Sequence, residues 1–167
     1  VQSNTSTDFI VVNADEVTAV GLEAEARWRP LDNLLIHGSL GWTDAEFEDY
    51  TDPFTGANYD DNAVPYVPEL TASAGFRYDF DFGFFVASSV RAAGETYYDA
   101  ANDGDYKEGG YMIWDAQAGY QAEHWSISVF GRNITDEDYY TFINPQIDAG
   151  APGDPQVFGV RVDVDLW

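Results

Sequence analysis

The chain has 167 residues, no cysteine, and 30 acidic against 7 basic side chains, a net charge of −23. That balance excludes nucleic-acid binding through phosphates, and the missing cysteines exclude a disulfide framework or a thiolate metal site. Apolar residues make up 45% and aromatic ones 16%, too many for simple disorder, yet no apolar run reaches the ~18 residues of a transmembrane helix.

The chain begins at Val1 without a leader, which predicts a processed or partial chain holding one domain or part of one. A short strand is expected over Phe9 to Val12, turning at Asn13-Ala14-Asp15-Glu16. Val17 to Trp28 sets Val20, Leu22, Ala24, Ala26 and Trp28 against Glu23, Glu25 and Arg27. Such period-two alternation gives one strand an apolar and a polar face. After the turn Pro30-Leu31-Asp32-Asn33, Leu34 to Phe47 repeats it, with Leu34, Ile36, Leu40 and Trp42 opposite His37, Ser39 and Thr43. Glu48 to Glu69 is a long polar loop. Leu70 to Tyr78 alternates Leu70, Ala72, Ala74, Phe76 and Tyr78 with Thr71, Ser73, Gly75 and Arg77.

A short turn over Asp79 to Gly83 leads into Phe84 to Ala92, where Phe84, Val86 and Val90 oppose Ser89 and Arg91. Glu95 to Gly110 is a second long loop, acidic and tyrosine-bearing. Met112 to Tyr120 sets Met112, Trp114, Ala116, Ala118 and Tyr120 against Asp115, Gln117 and Gly119. The tight turn Gln121 to His124 precedes Trp125 to Asn133, with Trp125, Ile127 and Val129 opposite Ser126, Ser128 and Arg132. Asp136 to Asp154 is the third long loop. In the tail, Pro155 to Trp167, Phe158, Val160, Val162, Val164 and Leu166 alternate with Gly159, Arg161, Asp163 and Asp165.

This pattern predicts an all-β, antiparallel, up-and-down transmembrane β-barrel with roughly eight strands in this chain. Loop lengths alternate short and long from the Pro30 turn onward, as in outer-membrane barrels with tight periplasmic turns and long outer loops. Trp28, Trp42, Tyr78, Trp114, Tyr120 and Trp125 stand near strand ends, where interface girdles sit. A soluble antiparallel sandwich with core aromatics is the other architecture open to the same pattern.

No catalytic constellation is present in the sequence, and the reading is not an enzyme. His37 is expected on a luminal face and His124 in a turn, too far apart in role for a zinc pair. Asp49, Asp52, Asp60, Asp61, Asp99, Asp103 and Asp105 are either calcium ligands or solvated loop charge, and no EF-hand spacing is present. Glu23, Glu25, Arg27, Arg77, Arg91, Asp115 and Arg132 are expected to line a lumen as a mixed-charge wall. Tyr97, Tyr98, Tyr106, Tyr139, Tyr140 and Phe142 are candidates to stack on a bulky, partly apolar solute at the outer mouth, or else to pack on one another.

Several stretches resemble the barrel of TonB-dependent outer-membrane receptors. Phe130-Gly131-Arg132-Asn133-Ile134-Thr135-Asp136-Glu137-Asp138-Tyr139 looks like that family's penultimate strand with its N-L-T-D-x-x-Y continuation. Pro155 to Leu166, with Phe158-Gly159-Val160, looks like its closing strand. Gly21-Leu22-Glu23-Ala24-Glu25 resembles its G-x-E-x-E strand, Asn62 to Glu69 the P-x-x-P lead into a descending strand, and Gly110 to Tyr120 its Y-x-x-x-D-A-x-x-G-Y strand. The end departs from the family pattern, since Leu166 holds the apolar phase and Trp167 lies one beyond it.

The resemblance implies that residues 1–167 are about the last third of a barrel of about 22 strands. It implies an N-terminal plug domain, contacted by the luminal residues, and a TonB box, neither within this sequence. It further implies a location in the outer membrane of a Gram-negative bacterium, contact with its lipids, and energy coupling through TonB–ExbB–ExbD. The implied function is uptake of a scarce small-molecule ligand: a ferric siderophore, cobalamin or oligosaccharide. The acidic loops lean the ligand towards a neutral or cationic solute, or one whose approach divalent cations assist. A complete eight-stranded barrel with a structural or adhesion role is the alternative.

Overall fold

The computed structural model describes residues 16–165. The expected strand at Phe9 to Val12, like Leu166 and Trp167, lies outside them. β1 (Glu16–Leu31), β2 (Leu34–Asp49), β3 (Leu70–Asp79) and β4 (Phe84–Ala93) follow one another as an antiparallel meander. The loop after β4 holds the short strands β5 (Thr96–Tyr97) and β6 (Lys107–Glu108). Then come β7 (Tyr111–Gln121), β8 (Trp125–Arg132), the hairpin strands β9 (Tyr140–Asn144) and β10 (Ala149–Pro152), and β11 (Val157–Val164).

The main sheet runs β1-β2-β3-β4-β7-β8-β11. It does not close on itself among the described residues, and β1 and β11 are its edges.

Register turns the sequence alternation into two continuous faces. Directly opposed residues on antiparallel strands point the same way. Ala24 stands opposite Leu40, Leu40 opposite Ala72, and Ala72 opposite Ala92, which faces Met112. Lower down, Tyr78 faces Val86, Val86 faces Ala118, Ala118 faces Val129, and Val129 faces Val160. Every one of these is apolar. The other face carries rows such as Glu25, Ser39, Ser73 and Arg91.

Among the described residues nothing covers the apolar face. Leu22 is 71% exposed and Val160 65%, with Trp28, Leu40, Met112, Trp114, Val129, Phe158, Val162 and Val164 also open. Among the described residues the buried apolar side chains are Phe47, Phe85, Ile113, Tyr98 and Tyr139, and none of them lies on that face. A water-soluble sheet would reverse this distribution, because an uncovered apolar patch of such extent is a docking or membrane surface. Lipid is the partner that a seven-stranded face of this kind fits.

The two ends of the sheet differ. At one end the turns are short. Gly83 adopts φ +89°, where an added Cβ would meet the Gln121 carbonyl oxygen at 2.7 Å, so only glycine closes the β3–β4 turn at this approach. At the other end β1 and β2 outrun β3, and the chain after β2 folds back along it. Thr43 donates its N–H to the Glu69 carbonyl at 2.9 Å, Val64 to Ala45 at 2.9 Å, and Phe47 to Asn62 at 3.0 Å.

Trp42 therefore lies within β2 rather than near its end, but it is paired with Leu70, the first residue of β3. The third long loop differs from expectation too, because the β9–β10 hairpin stands inside it. A four- or five-residue strand is too short for alternation to announce it.

Candidate functional site

The long-loop end is where side chains of different elements converge. Three loops meet there: 50–69, 94–110 and 133–156. Asn102 sits at φ +54° and fastens the second loop to the first. Its Oδ1 accepts from the Ala63 N–H at 2.8 Å, and its Nδ2 donates to the Ala63 carbonyl at 2.9 Å. Asn62 Nδ2 donates to the Ala100 carbonyl at 2.7 Å, and Tyr66 N–H to the Tyr97 carbonyl at 2.8 Å. The third loop joins through the Tyr98 hydroxyl, which donates to the Tyr140 carbonyl at 3.2 Å, and through the Tyr140 N–H, which reaches Glu108 Oε2 at 2.6 Å.

Aromatic rings fill the junction. Tyr66 stacks on Phe142 with centroids 5.8 Å apart and planes 12° apart. Tyr98 meets both edge-on, at 5.4 Å and 6.5 Å. Burial, with the Glu108 carboxylate next, pushes the Tyr98 hydroxyl above its ordinary pKa. Tyr66 is 51% exposed, and Phe142 and Tyr140 are also open to solvent. This gives an aromatic platform of Tyr66 and Phe142 resting on a buried Tyr98, while the open Tyr140 ring lies against Gly150 of β10.

Below the platform Tyr139 is buried and stacks on Tyr111 at 4.2 Å. Gly153 runs directly under the Tyr139 ring, leaving no room for a Cβ. Asn133, 1% exposed at φ +46°, ties the base of the third loop to the sheet. Its Nδ2 donates to the Glu137 and Asp154 carbonyls at 2.9 Å and 3.0 Å, and its Oδ1 accepts the Glu137 N–H at 2.9 Å. Its own N–H reaches Asp115 Oδ1 at 2.9 Å, while Asp115 Oδ2 pairs with Arg91 at 3.0 Å.

The structure divides the six candidate loop aromatics. Tyr98 and Tyr139 are packing residues, and Tyr140 and Phe142 are open. Tyr97 lies half-buried under the Lys107 ammonium, 5.6 Å from the ring centroid. A hydrogen bond to Glu95 raises the Tyr97 hydroxyl's pKa. Tyr106 closes the short 3₁₀ turn Gly104–Tyr106. Tyr66 was missed. It follows Pro65 in a stretch read as the approach to a strand, and its left-handed backbone at φ +68° carries no sequence signal for a tyrosine.

The acidic loop residues hold turns. Asp52 accepts from the Phe54 and Thr55 N–H groups at 2.7 Å and 3.2 Å, and the Phe54 bond holds its carboxyl below the usual range. Asp60 accepts from the Tyr50 N–H and Asn58 Nδ2, with the same effect. Asp99 accepts from Asp103 N–H, and Asp103 from Asp105 N–H. Asp49 and Asp61 are exposed. Among the described residues no three such groups stand close enough to share a metal ion.

The charged residues expected on the polar face share it by register, and they fall into two sets. Arg77 is bidentate to Asp79, donating from Nη2 to Oδ1 at 2.7 Å and from Nε to Oδ2 at 3.2 Å, and its guanidinium lies 4.0 Å from the Phe85 ring centroid. Arg91 has Asp115, and Arg132 lies 5.7 Å over Phe130. Glu23, Glu25 and Arg27, all on β1, are exposed and make no ion pair among the described residues.

The comparisons with known proteins fit this geometry. A family profile described as TonB dependent receptor-like, beta-barrel matches residues 1–134. The ferric-pyoverdine M114 receptor PbuA of Pseudomonas sp. (strain M114) is 27% identical over 161 residues, 93% of this chain and 19% of its own length. The pesticin receptor of Yersinia pestis is 31% identical over 136 residues, 78% of this chain and 19% of its own. Among solved structures, the ferric yersiniabactin uptake receptor FyuA from Yersinia pestis superposes with a TM-score of 0.76 at 25% identity, covering 90% of this chain and 24% of that one. The siderophore receptor PiuA from Acinetobacter baumannii gives 0.76 at 19% identity over 87% of this chain and 21% of its own, a likeness of fold. The chain spans about a fifth of the length of the curated relatives it matches.

Proposed function

This chain belongs to the TonB-dependent receptors, as a segment of their outer-membrane β-barrel, and on that premise we propose that the whole protein takes up a ferric chelate by energy coupling. The observation that carries the reading is the sheet itself: one apolar face for lipid, one polar face for a lumen, and a braced aromatic mouth at a single end. Names of relatives add to it, since they include ferric-pyoverdine and ferrichrome receptors.

In this reading the strands form the wall, and Tyr66 and Phe142 offer ring faces to the organic part of the chelate. The second set of luminal charges (Glu23, Glu25 and Arg27) faces a plug domain supplied by the rest of the protein. Arg77 and Arg91 already have partners in this chain and serve the wall. TonB–ExbB–ExbD drives release through that plug.

Charge bears on which chelate. Lys107 is the only basic residue in the three long loops, and Glu95 Oε2 pairs with it at 2.8 Å. This part of the mouth therefore favours a neutral or cationic chelate, or an anionic one approached with divalent cations. The test is uptake of iron-loaded neutral and anionic chelates by cells with and without TonB. Energy-dependent uptake of the neutral chelate, with surface binding retained when TonB is lost, is the expected result. Equal uptake without TonB would contradict energy coupling. Tight binding of an anionic chelate that weakens as salt rises would contradict the charge preference.

A further inference from the structure

The short turn between β3 and β4 differs from the β7–β8 turn beside it at the same end of the sheet. The β7–β8 turn is polar, with Glu123 and His124 at its tip and the Glu123 side chain 89% exposed. The β3–β4 turn instead reads Tyr78-Asp79-Phe80-Asp81-Phe82-Gly83-Phe84. Its alternation runs through the turn without a break.

Register places the two ends of this run on the apolar face, since Tyr78 stands opposite Val86 and Phe84 opposite Tyr120. The two turn phenylalanines join them. Phe80 lies 4.6 Å from Tyr78 and 6.3 Å from Phe84, and Phe82 lies 5.4 Å from Phe80 and 6.1 Å from Phe84. Phe82 remains 66% exposed. Asp79 is held by Arg77, on the polar side. The turn is tight, with the Gly83 N–H on the Phe80 carbonyl at 3.0 Å and the Phe80 N–H on the Phe84 carbonyl at 2.8 Å.

We infer that this turn is a lipid-docking element: Phe80 and Phe82 extend the apolar face past the strand ends into the phospholipid leaflet on the short-turn side. The occupant is the glycerol and upper acyl region of that leaflet, where amphipathic and aromatic rings partition. Continuity with the apolar face selects lipid over a protein partner. An open ring at the tip of a two-residue reversal would otherwise stand in water with nothing to cover it. Asp79 and Asp81 keep the backbone of the turn at the aqueous boundary, so the element fixes depth without being drawn inward.

The inference rests on the membrane placement of the sheet, and its test separates the two. The full-length receptor, freed of any other cysteine, carries one polarity-sensitive fluorophore at Phe82→Cys, Asp81→Cys, Glu123→Cys or Val160→Cys. Each is reconstituted in phosphatidylcholine vesicles with and without a quencher on the acyl chain. The quencher is expected to remove most of the emission at positions 82 and 160 and little at 81 and 123. An unquenched label at 82 beside a quenched one at 160 overturns the docking turn alone, whether that label emits as in water or as if covered by protein. Loss of quenching at 160 as well overturns the membrane placement itself.

Discussion

The sheet and the loops above it are stabilised in opposite ways. On the sheet, one face is apolar and uncovered, so its side chains gain by leaving water only when lipid arrives. The loops bury rings on one another and satisfy their backbone with named side chains: Asn102, Asn62 and Asn133. The wall is a surface waiting for its solvent, whereas the mouth is a small packed unit in its own right. Changes that are harmless in one region should therefore be severe in the other.

The largest effect belongs to the wall. Val129→Arg or Val162→Arg should cost about 2–4 kcal/mol of membrane insertion near the midplane, read as folded yield in vesicles. Glu25→Arg, on the exposed polar face, should leave the yield near that of the parent. Sequence alternation alone would offer Ser128 as an equally mild position. The structure corrects this, since Ser128 is 5% exposed and accepts from Gln117 Nε2 at 2.8 Å, so an arginine there has no room. Equal losses at Val162 and Glu25 would break the distinction between faces.

The next effect belongs to the mouth. Asn133→Ala removes the acceptor of one backbone N–H and the donor to two backbone carbonyls, and puts alanine in a left-handed backbone. About 1–3 kcal/mol of local stability should go with it, read as faster amide exchange at Glu137 with β8 unchanged. Exchange that accelerates along β8 instead would make Asn133 part of the wall.

Smaller still, Tyr66→Ala or Phe142→Ala should weaken chelate binding by about 0.5–1.5 kcal/mol with no change in folded yield. A loss of yield would mean that the platform is packing rather than a ligand surface.

Last comes pH. The Phe54 N–H holds the Asp52 carboxyl below its ordinary range, and the Tyr50 N–H does the same for Asp60. A depressed carboxyl stabilises the fold above its unfolded pKa and loses that contribution as pH falls through the folded value. The first loop should thus keep its order at neutral pH and loosen only below the usual aspartate range, followed by amide exchange at Tyr50 and Phe54. Loosening that begins near pH 6 would contradict it, because neither group titrates there.

The same contrast explains what could be read without coordinates. The seven long strands were legible because alternation over eight or more residues repeats one physical demand, as in Leu70 to Tyr78. The assignment of Glu23 and Arg91 to one face followed from it. The mouth was legible only as composition. Which tyrosines are buried depends on contacts far apart in sequence, such as Tyr98 with Tyr140 and Asn102 with Ala63. Tyr66 takes its place through a backbone conformation that no neighbouring residue announces.

The central claim is that lipid covers one face of this sheet and water the other. Spin labels placed singly from Phe158 to Val164 in the reconstituted full-length receptor test it, by comparing collisions with oxygen and with a water-soluble nickel chelate. The account predicts high oxygen and low nickel accessibility at Phe158, Val160, Val162 and Val164, with the opposite at Gly159, Arg161 and Asp163. A flat profile, or one of inverted phase, would contradict it.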